Sequence, residues 1–386
     1  MLTNIYNVFL SLICASVDPQ KDLDLNNITL TDEDYVKLYK LAKKHDIAHL
    51  LGYSLKINGI MPNDSELAQK IQKQALLAAF RVEQNDIVLK KAQTAFSNGN
   101  IKYILLKGTV LRDFYPERWM RTSGDIDVLI NECDIDATLP FLQEQGFKVE
   151  KKSTYDVSLR WENGLELELH YNIIGYDAKN KKYSPITDVW KYATKIDACQ
   201  YALTDEMFYY YHMAHLTKHF ISGGCGVRPI IDLWLLNKNI TPDEQKKQQL
   251  LQNADLVKFD GLINQLVEVW FNNKPHNKQT EQIESYILTG GVYGNLENRV
   301  SVAQAQRGDK KTYFFSRVFM PYRRLIHLYP VLEKHKWLFP FLQVARWFRI
   351  FFNGRAKRTA KEFSISMSKS ENQIDQTQKM LKDIGL

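Results

Sequence analysis

Residues 121–130, with the sequence Arg-Thr-Ser-Gly-Asp-Ile-Asp-Val-Leu-Ile, constrain the fold more than any other part of the chain. Their second half is apolar and β-branched, which predicts a buried strand. Alternate side chains of a strand share a face, so Asp125 and Asp127 point the same way, with Cα atoms about 6–7 Å apart. Carboxylates at this spacing can hold a pair of Mg²⁺ ions about 3.5–4 Å apart, an arrangement used in phosphoryl transfer. An isolated Asp-x-Asp is usually only an acidic strand edge, so the neighbouring segments have to decide between the two interpretations.

The segment upstream predicts a second strand. Residues 103–106 (Tyr-Ile-Leu-Leu) have the pattern of a short buried strand, and they end at Lys107 and Gly108. Glycine at the end of a strand allows another group to approach the backbone closely.

The segment downstream predicts a helix at about 133–146 and then a hairpin over 155–173. An Asn-Gly pair at 163–164 separates two alternating runs, which is a strong hairpin pattern. The second run alternates leucines with Glu166, Glu168 and His170. Glu166 and Glu168 therefore share one face of a strand with His170, and they add further acidic groups to Asp125 and Asp127.

These segments resemble a bacterial family of uncharacterised nucleotidyltransferases within the DNA polymerase β superfamily. The resemblance covers most of residues 30–350 and rests on the residues at 105–108 (LLKG), 121–130 (RTSGDIDVLI), 167–170 (LELH), 215–220 (HLTKHF) and 228–236 (RPIIDLWLL). Two positions depart from the superfamily pattern. Lys107-Gly108-Thr109 stands where Gly-Ser is usual, and Glu168 stands where Asp is the commoner third carboxylate.

The resemblance implies an α+β fold, in which a small mixed β-sheet core is flanked by N-terminal and C-terminal helical regions. It also implies a catalytic and metal-binding set of Asp125, Asp127 and Glu168. The two aspartates would bind two Mg²⁺ ions, with Mn²⁺ as an alternative, and Glu168 would bind one ion and help to deprotonate the acceptor hydroxyl. Glu166, two residues earlier on the same face, is the alternative third carboxylate.

Five residues are predicted to bind the nucleotide. Lys107 and Gly108 would hold the β- and γ-phosphates. Arg121 either stabilises phosphate charge or pairs structurally with one of the two aspartates, Asp125 or Asp127. Lys218 and His219 would reach the triphosphate from the helical region.

A histidine cluster on the same helix permits a second interpretation. His212, His215 and His219 follow an i, i+3, i+7 spacing and could form a zinc site, but the sequence nearby offers no fourth ligand. Packing against the catalytic core is the favoured interpretation. Arg228 and Asp232, one helical turn apart, predict either an (i, i+4) pair or a contact between regions.

Composition favours an intracellular enzyme with an anionic substrate. The 386 residues carry a net charge of +7, which does not by itself require a nucleic-acid partner. The four cysteines are far apart and lack Cys-x-x-Cys spacing, which predicts free thiols and a cytoplasmic location. No apolar run reaches the roughly 18 residues that a membrane-spanning helix needs.

The chain divides into four predicted regions: an N-terminal helical region (1–100), a catalytic core (101–200), a C-terminal helical domain (201–310) and an aromatic, basic segment with a polar tail (311–386). Within the last region, 340–353 predicts a helix too short to span a bilayer. Docking on the protein body is favoured. Peripheral contact at the inner membrane surface and contact with nucleic acid stay open.

Together these features predict an enzyme that moves a nucleoside monophosphate from an NTP to an acceptor hydroxyl and releases pyrophosphate. The acceptor (small molecule, protein or tRNA) and the base of the NTP are not readable from the sequence. Two alternatives remain: a metal-dependent glycosyltransferase using a nucleotide-sugar, and a non-catalytic nucleotide-binding module. The glycosyltransferase is disfavoured because its apolar strand usually precedes the Asp pair, whereas here the strand follows it.

Overall fold

A computed structural model describes residues 4–21, 23, 29–153, 155–162, 164–171, 173, 188–292, 294–306, 310–352, 356–368 and 371–386. The strands are β1 (Tyr103–Leu105), β2 (Asp125–Ile130), β3 (Lys148–Lys152), β4 (Asp156–Arg160), β5 (Glu166–His170), β6 (Ala193–Lys195) and β7 (Gln200–Leu203). The helices are α1 (Asn4–Val17), α2 (Asp32–Lys44), α3 (Ala48–Ile57), α4 (Ser65–Asn98), α5 (Gly108–Leu111), α6 (Ile135–Glu144), α7 (Asp205–Ile221), α8 (Arg228–Asn239), α9 (Glu244–Asn253), α10 (Val257–Asn272), α11 (Lys278–Gly290), α12 (Leu296–Ala305), α13 (Lys310–Val318), α14 (Tyr322–Leu328), α15 (Phe339–Phe352), α16 (Ala356–Ser368) and α17 (Glu371–Asp383). The predicted α+β class, a mixed sheet flanked by helices, is confirmed.

The N-terminal helices begin where their capping residues lie. Thr31 caps α2, because its hydroxyl accepts from the amide of Asp34 while the Asp34 carboxylate accepts from the amide of Thr31. Asp64 caps the 34-residue helix α4, because its carboxylate accepts from the backbone amides of Glu66 and Leu67.

The seven strands form one mixed sheet in the order β3-β4-β5-β2-β1-β7-β6. β2 lies at its centre, antiparallel to β1 and parallel to β5. The predicted hairpin is confirmed as the antiparallel pair β4–β5, and Asn163 of its turn lies outside the described residues.

The two faces of β2 meet different partners. Ile126, Val128 and Ile130 are buried against the second half of α4 and against α6. Leu129 belongs instead to the larger core that includes α7 and α8. Because side chains alternate, Asp125 and Asp127 lie on this second face, toward α7.

The larger core joins the two ends of the chain. Its buried residues come from α1–α3, from the sheet face that carries the acidic residues, from α7–α11 and from the last helix. The N-terminal and C-terminal helical regions therefore share one apolar core, and the boundaries at 100, 200 and 310 stay a prediction.

Helix α15 presents two chemically different faces. Arg346 and the Trp347 indole both donate to the Val318 carbonyl at the end of α13, at 2.6 and 3.2 Å. Away from these contacts, Trp337, just before the helix, and Phe341 are 68% and 64% exposed. One side of the predicted aromatic segment thus docks on the protein, and another stays in contact with solvent.

All four cysteines are free, and Cys133 is the exposed one. Within the described residues, no helix combines the length and the apolarity that crossing a membrane requires.

Candidate active site

The pairing of β2 with β5 brings the predicted carboxylates together. The two strands run parallel, with Asp125 opposite Glu166 and Asp127 opposite Glu168. Neighbouring strands lie about 5 Å apart, so side chains at one register position on the same face are in direct reach of each other. Two carboxylates separated by some forty residues in sequence thus meet at the middle of the sheet.

Asp127 is the most buried member of the cluster, with its side chain 5% exposed. Its Oδ1 atom accepts from the Lys107 ammonium at 2.8 Å and lies 2.6 Å from Nε2 of His170. Burial opposes ionisation of Asp127, but Lys107 and His170 outweigh it and hold the pKa of this carboxyl well below its usual range. The carboxylate is therefore charged throughout the physiological pH range.

His170 follows Glu168 by two residues on β5, and its Nε2 lies 3.3 Å from Oε2 of Glu168. Burial disfavours the charged imidazole, yet the hydrogen bonds to Asp127 and Glu168 outweigh burial and raise the pKa of His170 to about 9. The predicted roles left this histidine out. Its alternation with Glu168 on one strand face was the pattern that could have identified it.

Asp125 has a different environment from Asp127. Burial is the main reason that its pKa rises to about 6, and the charge of Asp127 adds to the rise. Lys107 acts in the opposite direction without cancelling these effects. The site thus keeps one carboxylate firmly ionised beside another whose charge is disfavoured.

The turn after β1 carries Lys107, whose ammonium contacts Asp127. Lys107 adopts φ +45° and ψ −121°, an uncommon conformation for a residue with a side chain, directly before α5. A Cβ atom on Gly108 would lie 3.3 Å from Cβ of Ser123 and 3.4 Å from a guanidinium nitrogen of Arg121. The 121–124 loop therefore packs closely against Gly108, and a side chain there would require these neighbours to shift by a few tenths of an ångström. The unusual backbone conformation belongs to Lys107.

Arg121 joins this loop to the helical region. Its Nε and Nη2 donate to the two carboxylate oxygens of Asp232 on α8, at 2.8 and 3.0 Å, and its Nη1 donates to the Thr122 carbonyl. Asp232 also accepts from the Tyr115 hydroxyl at 2.7 Å. Arg121 therefore forms a structural pair with Asp232 and not with Asp125 or Asp127, the aspartates that the prediction named.

Asp232 therefore does not form the (i, i+4) pair with Arg228. Arg228 instead forms an ion pair with Asp46 at 2.8 Å. The second prediction for these residues, a contact between regions, is the one that the structure shows.

The wall opposite the sheet comes from α7. Lys218, His215 and His219 border the same pocket as the carboxylates, and Nε2 atoms of the two histidines lie 3.1 Å apart. His212 faces elsewhere, with Nε2 2.9 Å from the Pro229 carbonyl oxygen. The three histidines therefore do not converge on one point, so they do not form the zinc site that their spacing permitted.

The pocket between the sheet and α7 has a volume of about 710 Å³. All eight residues predicted for catalysis or nucleotide binding border it: Lys107, Gly108, Arg121, Asp125, Asp127, Glu168, Lys218 and His219. The sequence-based set omitted Arg81, Tyr155 and Arg228, which also border it, because only the tertiary packing of α4, β4 and α8 brings them there. Glu166 is not among the bordering residues, which favours Glu168 as the third carboxylate.

The donor chemistry fits a divalent cation. Asp127, Glu168 and His170 each offer a ligand atom, and these atoms lie within 4.8 Å of one another. They form the only such group of three or more in the described part of the chain. Two positive groups, Lys107 and His170, now contact one oxygen of Asp127, which matches the charge that a divalent ion would bring.

A family model described as "Uncharacterised nucleotidyltransferase" matches residues 31–272. The match includes the sheet, the carboxylate cluster and helices α7 and α8. The chain therefore belongs to this family of uncharacterised nucleotidyltransferases. No curated protein and no solved structure matches the chain.

Proposed function

We propose that the protein is a metal-dependent nucleotidyltransferase of the DNA polymerase β type, which moves a nucleoside monophosphate from an NTP to an acceptor hydroxyl. The observation that carries this proposal is the register of β2 and β5, which sets Asp127 beside Glu168 in a pocket that also holds Asp125 and several cationic side chains. Membership of the nucleotidyltransferase family supports the same reaction type.

The reaction joins the acceptor oxygen to the α-phosphorus and breaks the bond from that phosphorus to the bridging oxygen of pyrophosphate. Glu168, partly exposed in the pocket, is the group proposed to receive the hydroxyl proton. A divalent ion held by Asp127, Glu168 and a neighbouring ligand would neutralise triphosphate charge and acidify the acceptor hydroxyl.

The cations around the pocket suit the triphosphate. Lys107 lies at the buried end beside Asp127, whereas Lys218 lies on the α7 side. His219, also on α7, is a neutral hydrogen-bonding group, because burial lowers its pKa to about 4. Phosphate oxygens placed between the two lysines would be neutralised from both walls. Arg121 contributes chiefly by holding its loop against α8 through Asp232, because three of its N–H groups already have acceptors.

The pocket volume is compatible with a nucleotide, since small-molecule sites usually enclose about 300–1,000 Å³. A nucleoside triphosphate and part of an acceptor can therefore occupy it together. The pocket volume does not distinguish between a small molecule, a protein and a tRNA as the acceptor.

The direct test is to incubate the protein with Mg²⁺ or Mn²⁺ and each of the four NTPs, labelled at the α-phosphate. Release of pyrophosphate, together with a mass increase on a co-purified acceptor or on the protein itself, is the expected result. Asp127→Asn should lower the rate by at least about a hundredfold, by analogy with the loss of one preorganised electrostatic group. Glu166→Gln, on the same strand as Glu168 but outside the pocket, is the matched control and should keep the activity.

Two outcomes would contradict the proposal. Release of UDP from a UDP-sugar without any reaction of NTPs would favour a glycosyltransferase. Tight binding of an NTP without turnover, for every metal and NTP tested, would favour a non-catalytic nucleotide-binding module.

A further inference from the structure

His170 contacts two carboxylates through the same ring nitrogen. Its Nε2 is 2.6 Å from Oδ1 of Asp127 and 3.3 Å from Oε2 of Glu168, and its side chain is only 11% exposed. Both carboxylates therefore converge on one imidazole nitrogen. An orienting histidine would need only the Asp127 contact.

We propose that His170 releases its Nε2 proton to solvent when the metal binds and becomes a direct ligand of that metal, with Asp127 and Glu168, and that this nitrogen donor makes the site prefer Mn²⁺ to Mg²⁺. The inference rests on the proposed metal-dependent function and specifies its metal. Mg²⁺ takes oxygen ligands and keeps much of its water, whereas imidazole is a better ligand for transition metals. A site built from oxygen atoms alone would lack this contribution of nitrogen to the preference.

The strand geometry explains why the three donors can serve one ion. Glu168 and His170 lie two residues apart on β5, so their side chains share a face. Asp127 stands directly opposite Glu168 on β2, and Leu129 stands opposite His170. The apolar Leu129 leaves Asp127 as the carboxylate on β2 that meets both donors of β5.

Lys107 is the cation that a metal would displace from Asp127. Its ammonium now lies 2.8 Å from the same Oδ1 atom that His170 contacts. Once a divalent ion is bound to that oxygen, the ammonium is repelled by it and is available to the phosphates in the pocket. Metal binding and phosphate binding by Lys107 are thereby coupled.

The test uses the full-length protein labelled with ¹⁵N-histidine and loaded with Mn²⁺ alone. Pulsed electron paramagnetic resonance should detect a ¹⁵N nucleus bonded directly to Mn²⁺ in the wild type, and this coupling should be absent in His170→Gln. The variant should also bind Mn²⁺ at least about tenfold more weakly, since even partners outside the coordination sphere often contribute that much. Mg²⁺ competition should show that the Mn²⁺ preference shrinks by a similar factor.

His215→Gln is the matched control, because His215 borders the same pocket from α7 and is not part of the three-donor group. It should keep the nitrogen coupling. The wild-type spectrum decides the question even if His170→Gln does not fold. Mn²⁺ bound without any nitrogen coupling, or no Mn²⁺ bound at millimolar concentration, would overturn the inference.

These outcomes are separable from failure of the proposed function. Pyrophosphate release that depends on Asp127, together with an Mn²⁺ spectrum lacking nitrogen coupling, would leave the nucleotidyltransferase and remove the His170 ligand. Nitrogen coupling without turnover of any NTP would leave the metal site and remove the enzyme.

Discussion

Replacement of Asp125 by asparagine should make the metal-free protein more stable while removing its activity. Burial and the charge of Asp127 raise the pKa of Asp125 from 3.8 to about 6. An acid whose pKa is higher in the folded than in the unfolded state destabilises the fold once it ionises. This penalty is absent below pH 3.8, grows as the pH rises to about 6, and is fully present above that pH.

The magnitude follows from the size of the shift. A change of about two pKa units corresponds to about 3 kcal/mol at neutral pH. Asparagine cannot ionise but keeps a polar amide in a partly buried place, so a net gain of about 1–3 kcal/mol is expected. For 386 residues the unfolding entropy is roughly 0.8 kcal/mol per kelvin, which converts this gain into an increase in Tm of about 1–4 °C.

Scanning calorimetry at pH 7.5 in EDTA, and again with Mn²⁺, measures the Tm of each protein without and with metal. Without metal, Asp125→Asn should melt above the wild type. At a metal concentration about a hundredfold above Kd, the wild type should gain about 2.7 kcal/mol. The variant should gain much less if Asp125 is a metal ligand, as its sequence position predicts. The lead of the variant in Tm should then shrink, and the order should reverse if its metal-free gain is below about 2.7 kcal/mol.

Glu166→Gln is the matched control, since Glu166 lies opposite Asp125 on the neighbouring strand. Its Tm should respond to metal as the wild type does. A metal-free Asp125→Asn protein that melts below the wild type would refute the reasoning, because the Asp125 charge would then stabilise the fold. An unchanged metal response in that variant would remove Asp125 from the metal site.

Three further predictions concern other parts of the molecule. Arg121→Met should lower the free energy of unfolding by about 3–5 kcal/mol, because it leaves the charge of Asp232 buried without its partner. Adding Asp232→Leu in the same chain should recover part of this loss. In a double-mutant cycle measured by urea unfolding, additive losses would contradict the pair. Burial holds the pKa of His45 near 4, against 6.5 in the unfolded chain, so the unfolded state takes up the proton first and the free energy of unfolding decreases as the pH falls below 6.5. Between pH 7.5 and 5.0 the wild type should therefore lose about 2 kcal/mol more than His45→Gln. Equal losses for the two proteins in urea titrations would refute this. If the exposed side of α15 contacts an anionic membrane, the full chain should float with vesicles that contain anionic lipid, and Phe341→Ser should float less. Equal flotation of the two proteins would exclude this side of α15 as a membrane contact.

The local sequence predicted much of the secondary structure correctly. The strand that begins at Asp125 and the β4–β5 hairpin follow from patterns of a few neighbouring residues. Such patterns depend on side-chain alternation and turn chemistry, which act over less than about ten residues.

What the sequence by itself determined is the identity of the carboxylates and the face on which each pair lies, because alternation along a strand is a local property. Only the tertiary structure decided which groups meet: His170 with Asp127, Lys107 with the same oxygen, and Arg121 with Asp232. These contacts join residues that are 20 to 111 positions apart, so they depend on the register of β2 with β5 and on the packing of α8. The same long-range packing decides that burial disfavours the charge of Asp125 while two positive groups stabilise that of Asp127.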